Sequence, residues 1–438
     1  MEKKNMKPIR LIIVTGILLI MVTCSLVYAH LGGFSTGKSA DIDEFAKYAE
    51  KITGDELPGI DVPEGTRIVA LGEATHGNRE FQELKKLVFQ DMVENKGIRA
   101  FVLEADTGGC EAINRYIHGG EGTLEEATET LGFQIYRTDE MADLISWMRS
   151  YNETAVEGQD IRFYGFDMQD KEYELRYVIE ALTECGISTT KLDQLMDGAE
   201  YSDEFRLEDR EKILTEVRDL LLENHYQAAA HYADVLIQNS RLFDEYEKKP
   251  TGSFGLRDSF MAENAMWILN QEEQLGNNMV FLSGHNGHME QFGTFRGGED
   301  KVMGNILADK VGSDAYFSIG TDFYKTTCNM PKNEKQRTTF TAYSHDPLAK
   351  AAYKSGNDVC LLDFSKVPDD SRIAAQINGY IYLGNLGDQS VGGLNRIVMR
   401  AIPYTYREWR NPHESYDAMI FVSNAHPTKT KPRTGDTL

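Results

Sequence analysis

Arg67-Ile68-Val69-Ala70-Leu71 runs directly into Gly72-Glu73-Ala74-Thr75-His76-Gly77. A short apolar run closed by a glycine-bounded turn reads as a buried strand that ends in a carboxylate and an imidazole. Two other segments repeat this design. Arg99-Ala100-Phe101-Val102-Leu103 ends in Glu104, and Met279-Val280-Phe281-Leu282-Ser283 leads into Gly284-His285-Asn286-Gly287-His288. Ligands of open α/β sheets bind beyond the carboxyl ends of the strands. If the three strands are parallel neighbours, Glu73, Glu104, His76, His285 and His288 meet at one sheet edge, the composition of an acid/base site.

Outward from this core the pattern alternates. The segment after His76 carries Phe81, Leu84, Leu87, Val88 and Met92 at helical spacing. Another helix is expected to start near Asp41. Residues 160–167 read as a further strand ending in an acid, and strands are expected again at 314–320, 379–384 and 417–422. Such alternation predicts the α/β class, with a mainly parallel central sheet covered by helices. Between about 170 and 275, Ile213, Leu214, Val217, Leu220 and Leu221, then Tyr232, Val235, Leu236 and Leu242, keep helical spacing. No strand interrupts them, so this stretch reads as a helical insertion.

Lys3, Lys4, Lys7 and Arg10 precede an uncharged run from Leu11 to Tyr28. This is the pattern of a secretory signal, or of an uncleaved membrane anchor, over residues 1–29. Either places the folded body outside the cytoplasm, secreted or attached to the membrane. A glycine-rich tether is expected at 30–39, the folded domain at 40–425 and a disordered tail at 426–438. The 438 residues are 41% hydrophobic and 26% charged, ordinary for a globular protein. With 69 acidic against 46 basic residues, the net charge of −23 argues against a nucleic-acid partner. Cys110, Cys185, Cys328 and Cys360 have no CxxC spacing, and read either as disulfide partners or as isolated buried thiols. Nothing in the sequence fixes the oligomeric state.

Near a helix N-terminus the dipole disfavours an imidazolium, so the turn predicts a neutral His76 able to take a proton, with Glu73 orienting it. The plainer alternative is a glutamate and a histidine that only cap a helix. Glu104, on an apolar strand, needs a partner such as Lys85, Arg257 or a histidine; a structural salt bridge is its plainer reading. His285 and His288 with a glutamate match a His₂Glu zinc set, which stands as the alternative to a site with no metal or cofactor. Gly33-Phe34-Ser35-Thr36-Gly37 matches GxSxG, but it lies in the tether, without the strand before and helix after that a nucleophile elbow requires. Ser283 is a remote second nucleophile candidate. There is no P-loop and no dinucleotide fingerprint.

The Gly72–Gly77 turn, the helix 80–94 and the strand 99–105 are followed in order by Gly165-Phe166-Asp167, by Arg257-Asp258-Ser259-Phe260-Met261-Ala262-Glu263-Asn264, by Gly284-His285-Asn286-Gly287-His288 and by Tyr416-Asp417-Ala418-Met419-Ile420-Phe421. In this order and spacing, residues 40–425 resemble the erythromycin esterase family. The resemblance implies an α/β core with a helical insertion and hydrolysis of a small-molecule ester or lactone without a serine nucleophile. It implies His76 as the general base that activates water, with Glu73 and Glu104 positioning the water or tuning the histidine. It gives His285 and His288 to the substrate carbonyl or the tetrahedral intermediate, and substrate-binding roles to His288, Lys85, Arg257, Asp258, Glu263 and Asp167. Lys85 stands where many relatives carry arginine, keeping the charge without the planar fork. The export signal also sets the chain apart from members that inactivate macrolides inside the cell, so antibiotic resistance is not the expected role. The competing functions are a metal-dependent hydrolase using the same cluster and a non-catalytic module binding carbohydrate or envelope components.

Overall fold

Strands with no polar alternation are stable only when both faces are covered, and that is how the apolar runs fold. A computed structural model of the chain describes residues 14–24 and 39–433, apart from 55, 198–199, 250–252, 295–297, 334 and 345. Its main sheet has nine strands: β1 (Glu50–Lys51), β2 (Ile68–Glu73), β3 (Ala100–Asp106), β4 (Arg162–Asp167), β5 (Val280–His285), β6 (Tyr316–Pro331), β7 (Arg337–Tyr343), β8 (Val359–Asp363) and β9 (Ala418–Ala425). The order is β1-β8-β9-β6-β2-β5-β3-β4, with β7 paired to β6. Pairing is parallel from β9 to β4 and antiparallel at β1–β8, β8–β9 and β6–β7.

Every residue of β2, β3 and β5 is buried. On one face, Val69, Leu71, Phe101, Leu103 and Phe281 pack with Phe81, Leu84, Val88 and Phe89 of α1 (Arg79–Lys96), with Ile113 of α2 (Thr107–Ile117) and with Leu144 and Met148 of α3 (Asp139–Thr154). Gly97 ends α1 at φ +72°, a left-handed conformation that costs other residues steric strain. The helical region is α4 (Glu172–Glu184), α5 (Leu207–Glu223), α6 (Gln227–Lys248) and α7 (Ser253–Gln274), plus a short helix at 190–195. Leu182, Leu214, Leu221 and Leu236 form a separate core among α4, α5 and α6. By contrast, Phe260, Met261, Ala265 and Leu269 of α7 pack on the second face of the sheet, against Ala70, Val102 and Leu282.

Several expectations need correction. The stretch 170–275 is interrupted by a two-stranded ribbon, Met196–Asp197 with Glu200–Tyr201. The 379–384 segment yields Ile381–Gly384, which pairs with Arg407–Arg410 in a ribbon outside the main sheet. β7 and β8 were not anticipated, and 314–320 is only the start of the 16-residue β6. Residues 426–433 are held rather than loose: Thr428 N–H donates to Gly77 O at 3.1 Å and Lys431 N–H to Arg137 O at 2.7 Å. The four cysteines are free thiols, with Cys110, Cys328 and Cys360 buried. The expected signal or anchor (except 14–24), the tether with its GxSxG match as far as residue 38, and 434–438 lie outside the described residues. Among the described residues no helix is long and apolar enough to cross a membrane.

Candidate active site

β5, late in the chain, inserts between β2 and β3, which are adjacent in sequence order. The register sets Glu73 opposite His285 and Leu103 opposite Ser283. Glu73, Glu104 and His285 therefore reach the carboxyl edge of the sheet together.

The turn carrying His76 is fixed from outside. Ala74 N–H donates to Thr321 Oγ1 at 2.9 Å, and Leu386 N–H donates to Ala74 O at 2.8 Å. The buried amide of Asn78 donates to the carbonyls of Thr327 and His426 at 3.0 and 2.8 Å. His76 Nδ1 then lies 2.7 Å from Glu73 Oε1. The other oxygen of Glu73 accepts from Lys85 Nζ at 2.5 Å and from Gln82 Nε2 at 3.2 Å. Gln82 and Lys85 are three apart on α1 and so share a face. Tyr136 OH donates to Glu73 Oε1 at 3.3 Å.

Charge follows from this chain of contacts. Burial opposes ionisation of Glu73, but Lys85 and then His76 bring it down to about 2. Burial likewise opposes a charged His76, yet Glu73, then Glu104 and Asp388, raise it above its ordinary value. The basicity of His76 is thus set by its carboxylate partner, and the helix dipole does not govern it. α1 begins three residues later, and a full carboxylate at hydrogen-bond distance outweighs the half-charge of a helix end.

The second half of the cluster centres on Glu104. Its Oε1 accepts from Arg257 Nη2 at 2.9 Å and lies 3.4 Å from His288 Nε2, while Oε2 accepts the His285 backbone N–H at 2.7 Å. A Cβ on Gly284 would lie 2.8 Å from Glu104, so only glycine lets that carboxylate cross β5. Arg257 also bridges to Asp167 at 2.5 Å, and His288 Nδ1 lies 2.7 Å from Asp258. Against burial, His288 and then Arg257 hold Glu104 well below the usual carboxylate range. Also against burial, Asp258 and then Glu104 lift His288 to about 9.

His285 differs from both other histidines. Burial, and then His76, push it down to about 3, so its ring is neutral. Nδ1 accepts weakly from Gly287 N–H at 3.4 Å, which assigns the proton to Nε2. That Nε2 is buried and meets no partner among the described residues. The ring lies 5.0 Å from that of His76, centroid to centroid.

The other sequence-derived candidates fall into three groups. Arg257, Asp258, Asp167 and His288 form one ion-paired network with Glu104. Lys85 is 1% exposed and sits behind Glu73, paired to that carboxylate. Glu263 is exposed and bonded to Gln238 instead of to the cluster. Ser283 is buried between Leu71 and Leu103, and its hydroxyl bonds to none of the histidines. Among the described residues no three His, Cys, Asp or Glu side chains are arranged to hold a metal ion, the zinc set included. Gln82 and Tyr136 were missed. The spacing of Gln82 to Lys85 was a usable signal, whereas nothing local marks Tyr136.

Comparisons with known proteins bear on the fold and the family. The chain is 26% identical to the erythromycin esterase type II of Escherichia coli over 327 residues, covering 64% of this chain and 72% of that protein. Among solved structures, a succinoglycan biosynthesis protein superimposes with a TM-score of 0.74 at 19% identity, covering 89% of this chain and 98% of that one. A Bacillus cereus protein gives 0.73 at 23% identity, over 90% and 100% of the two chains. A mutant of the erythromycin esterase EreC in its open conformation gives 0.56 at 16% identity, over 89% and 98%; these likenesses bear on the fold. With the erythromycin esterase family model matching residues 93–425, the chain belongs to the erythromycin esterase family, hydrolases that act on ester bonds.

Proposed function

We propose that this ester hydrolase attacks its substrate with water, activated by His76, and uses no serine nucleophile. The observation that carries the reading is the pairing of a Glu73-bound imidazole with a facing neutral imidazole whose Nε2 is buried and unpartnered. With Nδ1 engaged by Glu73, the Nε2 of His76 is left to take a proton from water. Glu73 holds the ring and stabilises the imidazolium as it forms, and Lys85 holds Glu73. His285 Nε2–H supplies a donor where negative charge develops on the carbonyl oxygen; such preorganised donors act strongly in a dry site. Glu104, itself fixed by Arg257 and His288, anchors the His285 backbone and adds negative potential near His76. His288 and the Arg257, Asp258 and Asp167 network then bear on substrate through the wall they form.

The substrate is a small-molecule ester or lactone. The basic residues ahead of the uncharged run from Leu11 to Tyr28 support an extracytoplasmic location, secreted or anchored; recovery of the native protein in the cytoplasmic fraction would remove that part. The main test is hydrolysis of a panel of activated esters and lactones by the folded chain and by His76→Ala. Turnover should vanish in the variant while its circular dichroism is unchanged. Full activity in His76→Ala would end the mechanism.

A further inference from the structure

A cavity of about 590 Å³ is lined by Lys332, Lys335, Arg337 and Arg396. In a chain of net charge −23, none of its described lining residues is acidic. Arg337 is spent on Asp388, with contacts of 2.6 and 3.0 Å. Among the described residues Lys332 Nζ donates to the Gln336 amide oxygen at 3.2 Å, and Arg396 donates to the Thr339 carbonyl. Among the described residues no carboxylate pairs with Lys332, Lys335 or Arg396. The helix α8 (Gly393–Ala401) opens onto the same space through Gly392 and Gly393, and no side chain caps its N-terminus. Free amide groups there add to the positive potential of the three cations. Lys332 and Lys335 are exposed and Arg396 is half-buried, so their charges remain available to an incoming anion.

The cavity is one chain segment away from the chemistry. A second space of about 720 Å³ shares Lys332 and Lys335 with it and is bounded by Asp388. Asp388 lies close enough to His76 to raise it. The intervening segment touches the cluster itself, because Leu386 bonds to Ala74 and a Cβ on Gly387 would lie 4.0 Å from His285 Cε1. Resting on the esterase reading above, we infer that this cavity binds an anionic group, a carboxylate or phosphate, on the acyl or alcohol part of the ester. The substrate is then an acidic ester, its charged end held by Lys332, Lys335 and Arg396 while its carbonyl reaches His76 and His285.

The test compares 4-nitrophenyl hydrogen succinate with neutral 4-nitrophenyl butyrate in the native chain and in the triple variant Lys332→Gln/Lys335→Gln/Arg396→Gln. The native chain should favour the anionic ester, and the triple variant should lower the anionic-to-neutral ratio of kcat/KM by about tenfold, with the preference shrinking in high salt. Hydrolysis of both esters with an unchanged ratio overturns the inference and leaves the esterase reading standing. If neither ester is cleaved, calorimetry with succinate and with inorganic phosphate decides. Saturable binding that the triple variant loses supports the cavity, with the tighter ion identifying the head group, and absence of binding by either ion overturns it.

Discussion

Glu73→Gln tests the electrostatic core of the mechanism, because it removes one charge from a buried row of three. Glu73 accepts from Lys85 on one oxygen and faces His76 on the other at 2.7 Å. A carboxylate and an imidazolium with charges roughly 4 Å apart attract by about 4 kcal/mol at an effective dielectric constant near 20. That is about three pKa units. Burial and the charge of Lys85 oppose it, and the net result is a His76 raised above 6.5. A general base works in its neutral form, so kcat/KM in the native chain should climb with pH through a value above 6.5. In Glu73→Gln the climb should move to lower pH, with a plateau lower by about 10- to 100-fold through a weaker, less oriented base. The single variant leaves Lys85 buried and unpaired, a loss of about 3–5 kcal/mol. Glu73→Gln/Lys85→Met removes both charges and separates folding from chemistry. The assay is pH-stat titration of acid released from a neutral ester, with thermal melts alongside. A limb that stays in place or moves up in both variants would refute the argument that Glu73 sets the basicity of His76.

Two further outcomes follow from buried groups. Ser283→Ala should keep activity within about twofold, since its hydroxyl has no histidine to activate it; a loss of several orders of magnitude with an intact fold would restore a serine nucleophile. Glu174 is fully buried, with Oε1 accepting the Gly108 N–H at 2.5 Å and Oε2 meeting no partner among the described residues. Burial, then nearby Asp170 and Asp167, raise it to about 8 from 4.5 although backbone N–H groups oppose them. The folded state keeps this proton while the unfolded chain releases it above pH 4.5, so stability falls as pH rises from 4.5 through 8. Glu174→Gln should flatten that slope and raise stability at pH 8 by about 1–3 kcal/mol, as read by urea unfolding across pH. An unchanged slope would mean that Glu174 is ionised in the fold.

What the sequence determined by itself is local. Apolar runs of strand length, each ending at Glu73, Glu104 or His285, announced a layered α/β sheet and its active edge. The 3.6-residue spacing of Phe81, Leu84, Val88 and Met92 announced α1, because burial of one helix face leaves a periodic trace. The order of the motifs announced the family. The structure alone decided which groups meet. The insertion of β5 between β2 and β3, more than 170 residues after β3 begins, sets His285 beside Glu73 and passes Gly284 under Glu104. Strand order is fixed by pairing and burial among distant segments, and neither leaves a periodic signal in the chain. For the same reason Lys85 went to Glu73 and Arg257 to Glu104, a partition that the sequence left open. What governs the basicity of His76 was also hidden, because a helix end can be read from local sequence, whereas the strength of a carboxylate contact depends on how deeply the pair is buried and on what stands behind it.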